Sequence, residues 1–533
     1  MEIRRSATLL VMLALAALGG AALRAPELAN RPMHADEAVH AIKFSRLLEA
    51  GDYRYDPHEY HGPSLNYLSL PLAWLGGARD RTEVTAHQLR RLPAGMGLLL
   101  VILVWRLRGP LGGPATAVAA ALAATSPALV FFSRYYIQEM LLATFTLAAL
   151  GCFWRWQETV PERNSPAGVE PGVRRVGWRE ALLLGLSAGM MWATKETWVL
   201  AGLALAAAAV GVHVGRFRRR WPLRQLAAVV LVAGLVSAMF HSSFLQNPRG
   251  VVDSFTTYAG YLRRAGGEGS AGRHVHPWYQ YLQWLFWQRI PGTRWGSEVA
   301  VGVLAAAGLW VAFRGRGLSP RQLALARFLA LYTLVLLAIY SALPYKTPWC
   351  AVGPLHGLVL IAGIGAGAWL RGCQSRGGRL AVGVLIAAAV LHQGWQAWHA
   401  NFVAHTEPRS PWVYAHTTGE VAELVDQVRQ VAARHPDGTA MHVQVICPED
   451  DYWPLPWCLR DFSRIGWHRD EPQGPPAPLI IIQPALEPML LEYLYARQPP
   501  GQRGLYVPLA PPGRTHYLLR PGVPLRVFVR WDL

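Results

Sequence analysis

Asp36 and Glu37 stand side by side in His34-Ala35-Asp36-Glu37-Ala38-Val39-His40, a short way beyond a first apolar segment at residues 6–23. Carboxylates kept beside a bilayer are costly and are usually retained for work, such as drawing a proton from a hydroxyl. Three short turns hold cations in comparable places: Ser133-Arg134 with Glu139, Thr194-Lys195-Glu196-Thr197, and Pro344-Tyr345-Lys346-Thr347-Pro348-Trp349. A cation at that depth calls for an anion. Arg134 with Glu139, and Lys195 with Glu196, could form local ion pairs at helix ends. Lys346 has no acid close in sequence and its flanking prolines stiffen the turn, so it could meet a phosphate or snorkel to the interface. His61, in Tyr60-His61-Gly62-Pro63, could hydrogen-bond a substrate or cover a loop. These residue types suit a base and several fixed cations around a lipid-linked anion.

The elements that must hold such groups are membrane helices. Of 533 residues, 52% are hydrophobic and only 16% charged, with 22 Trp, which is too little polar surface for a soluble chain of this length. The formal net charge of +18 does not indicate nucleic acid, because the basic residues fall in short breaks between apolar segments and form no stripe with interleaved aromatics. Five Cys without C-x-x-C or Cys/His spacing give neither a disulfide framework nor a zinc site. Cys447 and Cys458 could pair if their region lies outside the cytoplasm; free thiols are the plainer reading.

Apolar stretches near bilayer length number about eleven: residues 6–23, 89–105, 113–132, 137–154, 181–193, 197–214, 225–240, 299–313, 323–343, 350–370 and 380–398. With Arg4 and Arg5 inside, every second loop is cytoplasmic. Those loops carry Arg106 and Arg108; Arg155, Arg163, Arg174, Arg175 and Arg179; Arg216, Arg218, Arg219, Arg220 and Arg224; Arg314, Arg316 and Arg321; and Arg371, Arg376 and Arg379. This is the pattern of the positive-inside rule. It predicts a multi-pass protein of the inner or plasma membrane with a cytoplasmic amino terminus and residues 399–533 outside. A cleaved signal peptide is the alternative for the first segment; residues 24–87 face outside either way.

Within that first external loop, residues 36–50 read as an amphipathic helix stopped by Gly51, where Asp36 could serve only as a cap. Residues 65–75, interrupted by Pro71, are too short to span. The long external loop 241–298 holds Trp278, Tyr279, Tyr281, Trp284, Trp287 and Trp295 with His274 and His276, rings that anchor at headgroup level or cover a substrate. Its glycine-rich run 266–272 suits a loop that opens and closes, or an ordinary connection. Beyond residue 398 the pattern is that of a small α/β domain, with a helix at 420–433, strands at 441–446 and 479–482, and strand material at 517–531. The chain therefore divides into a membrane domain, 1–398, and a soluble domain, 399–533.

On these residues the chain resembles the GT-C class of integral-membrane glycosyltransferases, in the protein O-mannosyltransferase and aminoarabinose-transferase superfamily, and more narrowly the flippase-activity-associated branch. The resemblance runs through Asp36-Glu37, His61-Gly62-Pro63, Ser133-Arg134 with Glu139, the Lys346 turn, and Asp450-Asp451-Tyr452-Trp453-Pro454-Leu455-Pro456-Trp457. Gly62 stands where the transferases often have Pro, and Glu139 where they often have Asp. The resemblance implies a GT-C-like α-helical polytopic membrane fold of about eleven transmembrane helices with a small extracytoplasmic C-terminal α/β domain. It also implies a glycosyltransferase that moves a sugar from a polyprenyl phosphate to an extracytoplasmic lipid, glycan or protein acceptor, with inversion. Asp36 is then the expected base, with Glu37 and Glu139 as accompanying catalytic carboxylates; Arg134, Lys195 and Lys346 bind the donor phosphate; and His34, His61, Tyr345 and Trp349 contact substrate. A divalent ion, Mg or Mn, on Asp36 and Glu139 stays open, and no other cofactor or nucleic acid is expected. The rival is a non-catalytic protein that binds lipid-linked sugars or assists their flipping. A secondary transporter predicts inverted repeats, and none is evident.

Overall fold

The computed structural model describes residues 2–58, 61–160, 171–213, 222–265, 274–510 and 513–532. Tyr60, Arg163, Arg216, Arg218, Arg219, Arg220 and the 266–272 run lie outside the described residues.

Every apolar segment of the sequence becomes helix. The order is α1 (Glu2–Arg24), α2 (Ala35–Ala50), α3 (Ser64–Leu75), α4 (Ala86–Leu103), α5 (Gly113–Thr125), α6 (Pro127–Ser133), α7 (Glu139–Thr159) and α8 (Pro171–Trp192). Then follow α9 (Trp198–His213), α10 (Leu223–His241), α11 (Arg249–Ala265), α12 (Val299–Arg314), α13 (Pro320–Ala342), α14 (Val352–Gly372), α15 (Arg376–Trp398) and, in the tail, α16 (Glu420–Arg434). Among the described residues six helices are by themselves long and apolar enough to cross a membrane, or seven if the bent pair α5 and α6 is one span. This is below the about eleven expected from apolar stretches alone. The shortfall has physical causes: α9 and α12 are apolar but short, and α7 and α8 contain charged residues.

Membrane helices approach closely where side chains are small. A Cβ on Gly365 of α14 would lie 2.0 Å from the Leu304 carbonyl oxygen of α12, and one on Gly308 of α12 would lie 2.2 Å from that of Ile361. These two helices are therefore in backbone contact, and α14 packs its other side on α5. Leu226, Val230, Leu231 and Leu235 of α10, and Leu380, Val384, Leu385 and Leu391 of α15, stay exposed, an apolar surface suited to lipid. Between α5 and α6 the chain turns by 56°. There Ser126 Oγ caps the Leu129 N–H and donates to Glu298 Oε1 at 2.7 Å, which also accepts from the Ala128 N–H at 3.0 Å.

The first external loop folds as its sequence suggests: α2 ends at Gly51 in the left-handed conformation (φ 65°), and α3 carries Pro71. The tail forms a sheet of order β2-β1-β3-β6-β4, with β5 paired to β6. Its strands are β1 (Val443–Ile446), β2 (Ile465–His468), β3 (Leu479–Ile482), β4 (Tyr506–Leu509), β5 (Tyr517–Arg520) and β6 (Val523–Arg530). β1, β2 and β3 are parallel, whereas β6 runs antiparallel to its neighbours. The strand material at 517–531 divides at Gly522 (φ 83°) into β5 and β6, while β2 and β4 carry no expectation from the sequence. All five cysteines, Cys447 and Cys458 included, are free thiols. Arg460 ties the sheet domain to the loop before α4, donating to the Arg81 carbonyl at 2.9 Å and the Val84 carbonyl at 3.0 Å.

Candidate functional site

At the amino end of α2, His34 is the cap: its Nδ1 accepts from the Asp36 N–H at 3.0 Å, and Glu37 Oε2 accepts from the His34 N–H at 3.1 Å. The two neighbouring acids then diverge. Glu37 is fully buried, gripped by Arg90 (2.7 and 2.6 Å) and accepting from the Tyr136 N–H at 2.8 Å. Burial pushes its carboxyl up, but Arg90 and these hydrogen bonds outweigh that and hold it below the usual carboxylate range. Asp36 keeps a half-exposed side chain and faces a cavity of about 340 Å³.

The amino end of α2 and several external loops converge on that cavity. Asp36 and Val39 come from α2, His61 from the turn before α3, Ile137 and Glu139 from the start of α7, Lys195 from the turn before α9, and Tyr345 and Trp349 from the turn before α14. Its volume suits a small ligand, and its wall mixes apolar surface with a few convergent polar groups. A narrower apolar recess shares Glu139 and Lys195 and continues past Leu142, Leu336 and His356 between α7, α13 and α14.

The ion pairs differ from the local ones the sequence suggested. Lys195 pairs with Glu139, both buried, and Glu196 turns the other way to His61, whose Nδ1 lies 2.8 Å from its Oε2. For Lys195, burial lowers the ammonium's pKa but the Glu139 carboxylate more than reverses this, so the net direction is upward.

Four residues expected at the site do not line the cavity. Glu37 is sequestered with Arg90. Arg134 donates to the carbonyls of Arg24 (3.1 Å), Pro26 (2.6 Å) and Glu27 (3.1 Å) and lies over the Phe402 ring, because the end of α1 and the turn after it present three acceptors close together. Lys346 donates to the carbonyls of Leu343 and His276, and its N–H to the His274 carbonyl at 2.8 Å, so it binds its own turn to the long loop. His34 stands one layer back, with Nε2 3.1 Å from the Tyr414 carbonyl and its ring against Tyr135 and Trp349. Conversely, His40, Gln138, Thr197, Tyr261 and Tyr340 line the cavity without having been singled out. Tyr261 had a signal: it lies on α11, an amphipathic stretch inside the long loop.

Asp36 and Glu139 share the cavity wall, but among the described residues no three His, Cys, Asp or Glu side chains are grouped to hold a metal ion. Glu139 is moreover engaged by an ammonium. The donor set does not suit a resident divalent ion.

Residues 69–235 match the family described as dolichyl-phosphate-mannose-protein mannosyltransferase. ArnT from Cupriavidus metallidurans is similar in its apo state, with a TM-score of 0.63 and 16% identity over 98% of each chain. ArnT bound to undecaprenyl phosphate gives a TM-score of 0.61 at 16% identity, again over 98% of each chain. The Archaeoglobus fulgidus oligosaccharyltransferase tethered with an acceptor peptide gives 0.56 at 15% identity over 86% of this chain, which spans 63% of that protein's length. No curated protein matches. The fold is that of the GT-C membrane glycosyltransferases.

Proposed function

We propose that the chain is a glycosyltransferase that moves a sugar from a polyprenyl phosphate to an acceptor hydroxyl outside the cytoplasm, with inversion. The observation that carries this reading is the common cavity, which sets a half-exposed carboxylate, Asp36, in one wall with the Lys195 ammonium. The fold, and the undecaprenyl phosphate that one protein of the same fold binds, support the donor class.

In this reaction the acceptor oxygen bonds to the anomeric carbon as the bond from that carbon to the phosphate oxygen breaks. The bonding pair leaves with the phosphate, whose charge rises from one to two. Lys195 is the cation that meets that charge, released from Glu139 as the phosphate takes its place. Asp36 accepts the proton of the acceptor hydroxyl. Tyr345 and Trp349 offer ring surfaces to the sugar, and Glu139, once freed, can orient the acceptor.

Support for the proposed orientation comes from α7. Glu139 opens this helix beside the cavity and Glu158 lies in its last turn, about 30 Å away at about 1.5 Å per residue, which is the thickness of a bilayer core. Near the far end Arg106 and Arg155 pair with Glu180, and Arg321 with Glu158. By the positive-inside rule these arginines support a cytoplasmic placement for that end and an extracytoplasmic one for the cavity.

The test is transfer of radiolabelled sugar from a polyprenyl-phosphate donor in membranes, comparing the parent with Asp36→Asn. Loss of transfer with donor binding intact supports the reading. Full transfer by the variant overturns the role of Asp36. A parent that transfers nothing from any donor but sustains flipping favours the non-catalytic alternative.

A further inference from the structure

The cavity as folded is not a cationic receptor. Among the described lining residues Lys195 is the formal cation, Glu139 neutralises it, and Asp36 adds a negative charge. Arg134 and Lys346, the other expected cations, are committed to backbone carbonyls. A phosphate entering this space has to draw Lys195 away from Glu139, and a second positive group beside Lys195 would favour that exchange; imidazole is the remaining lining group that can supply it.

Two imidazoles line the cavity, His40 and His61. His40 is buried, with Nδ1 3.4 Å from Gln138 Nε2; burial, with His61, Lys43 and Lys195 nearby, holds it well below the usual imidazole range, and it stays neutral. His61 is built differently. Its side chain is 26% exposed, and Nδ1 lies 2.8 Å from Glu196 Oε2 and 2.8 Å from the Tyr261 hydroxyl oxygen. Among the described residues its Nε2 has no hydrogen-bond partner. Glu196 does not line the cavity: it is buried behind the ring, and its other oxygen accepts from the Tyr55 hydroxyl at 3.0 Å. The groups around His61 are thus Glu196 from the turn before α9, Tyr261 from α11, and His40 from α2, with Lys195 in the same wall.

A carboxylate fixed on Nδ1 sets the tautomer, leaves Nε2 facing outward, and stabilises the imidazolium when it forms. Resting on the donor class proposed above, we propose that His61, as its imidazolium, is a ligand of the donor phosphate, that Glu196 is the positioning residue that orients and charges it, and that donor binding is therefore proton-linked. Charge-assisted contact from Nε2–H to a phosphate oxygen is the interaction gained. Binding tightens as pH falls and weakens as pH rises.

The experiment measures the affinity of the full-length protein, in nanodiscs of uncharged lipid, for the methyl ester of undecaprenyl phosphate between pH 6.0 and 8.5. This phosphodiester keeps one negative charge throughout, so any pH dependence belongs to the protein. The dissociation constant of the parent should rise by up to about tenfold per pH unit above the midpoint, the limit for one linked proton. Glu196→Gln should move the rise to lower pH. His61→Gln should bind weakly and His61→Lys tightly, both without pH dependence. A parent that binds with the same affinity at every pH, a rise that survives in His61→Gln, or a Glu196→Gln midpoint equal to the parent's overturns the proposal while the donor class stands. If Glu196→Gln does not fold, the two His61 variants decide. A parent that binds no probe at any pH overturns the donor class itself, and this inference with it.

Discussion

Arg90 holds Glu37 through two edges of its guanidinium, Nε donating to Oε1 at 2.7 Å and a terminal nitrogen to Oε2 at 2.6 Å, while its remaining donors reach the carbonyls of Leu28 and Arg31 at 2.8 Å. This buried pair anchors the amino end of α2 to α4 and so fixes where Asp36 can point. Replacing Glu37 with Ala leaves an unpaired buried guanidinium, a change that costs about 3–5 kcal/mol in comparable cases. A thermal melt should show this as a large fall in Tm. Asp36→Asn should leave Tm within a degree or two and lower transfer by roughly a hundred- to ten-thousand-fold, the range for a lost general base.

Lys195→Ala should both destabilise the protein and weaken donor binding, because it strands Glu139 in a buried wall. The double variant Lys195→Ala, Glu139→Gln separates the two effects. It should recover most of the lost stability, since no lone charge remains, without recovering donor affinity. Recovered affinity would remove Lys195 from the phosphate site.

Arg134→Ala should lower stability by about 1.5–3 kcal/mol, the scale of hydrogen bonds to a charged group, and leave the donor dissociation constant within about twofold of the parent's. Lys346→Ala should likewise loosen the join between the 343–350 turn and the long loop. Hydrogen exchange at the His276 and Lys346 amides should rise, with a smaller loss of donor affinity than Lys195→Ala causes.

Stability should fall on acidification. Burial lowers the pKa of His34, His40 and His416 in the fold, with positive neighbours adding to the effect for His40 and His416. The unfolded chain therefore binds protons that the folded one refuses. The stabilisation is complete above the unfolded value of about 6.5 and is lost as pH falls below it, by up to about 1.4 kcal/mol per pH unit for each group. Melts from pH 7.5 to 5.0 test this, and they should move opposite to donor affinity, which strengthens over the same fall.

Much of the cavity's lining was legible because its groups sit at helix ends, where apolar runs break and a charge must be noticed. Asp36, His61, Glu139, Lys195, Tyr345 and Trp349 all reach the cavity from such breaks. Their partners were not legible. Glu139 lies nearer in sequence to Arg134 and Lys195 nearer to Glu196, but pairing across turns is set by how α7 and α9 pack. Arg134 was misread for a related reason: the carbonyls of residues 24–27 that satisfy it become acceptors only where α1 ends and the turn opens towards α6. In the tail, β2 and β4 escaped notice because each is four residues long, with Gly466 in one and Pro508 in the other.

The contact between Lys195 and Glu139 gives the cavity an order of events. A ligand that claims the ammonium must evict a resident carboxylate, so arrival of an anion is an exchange of one negative partner for another. The liberated Glu139 becomes available only while the ammonium is otherwise engaged. Under the proposed function, a second substrate that relies on Glu139 would meet a competent surface only after the first has docked, and an unloaded pocket would be spared futile capture of acceptor.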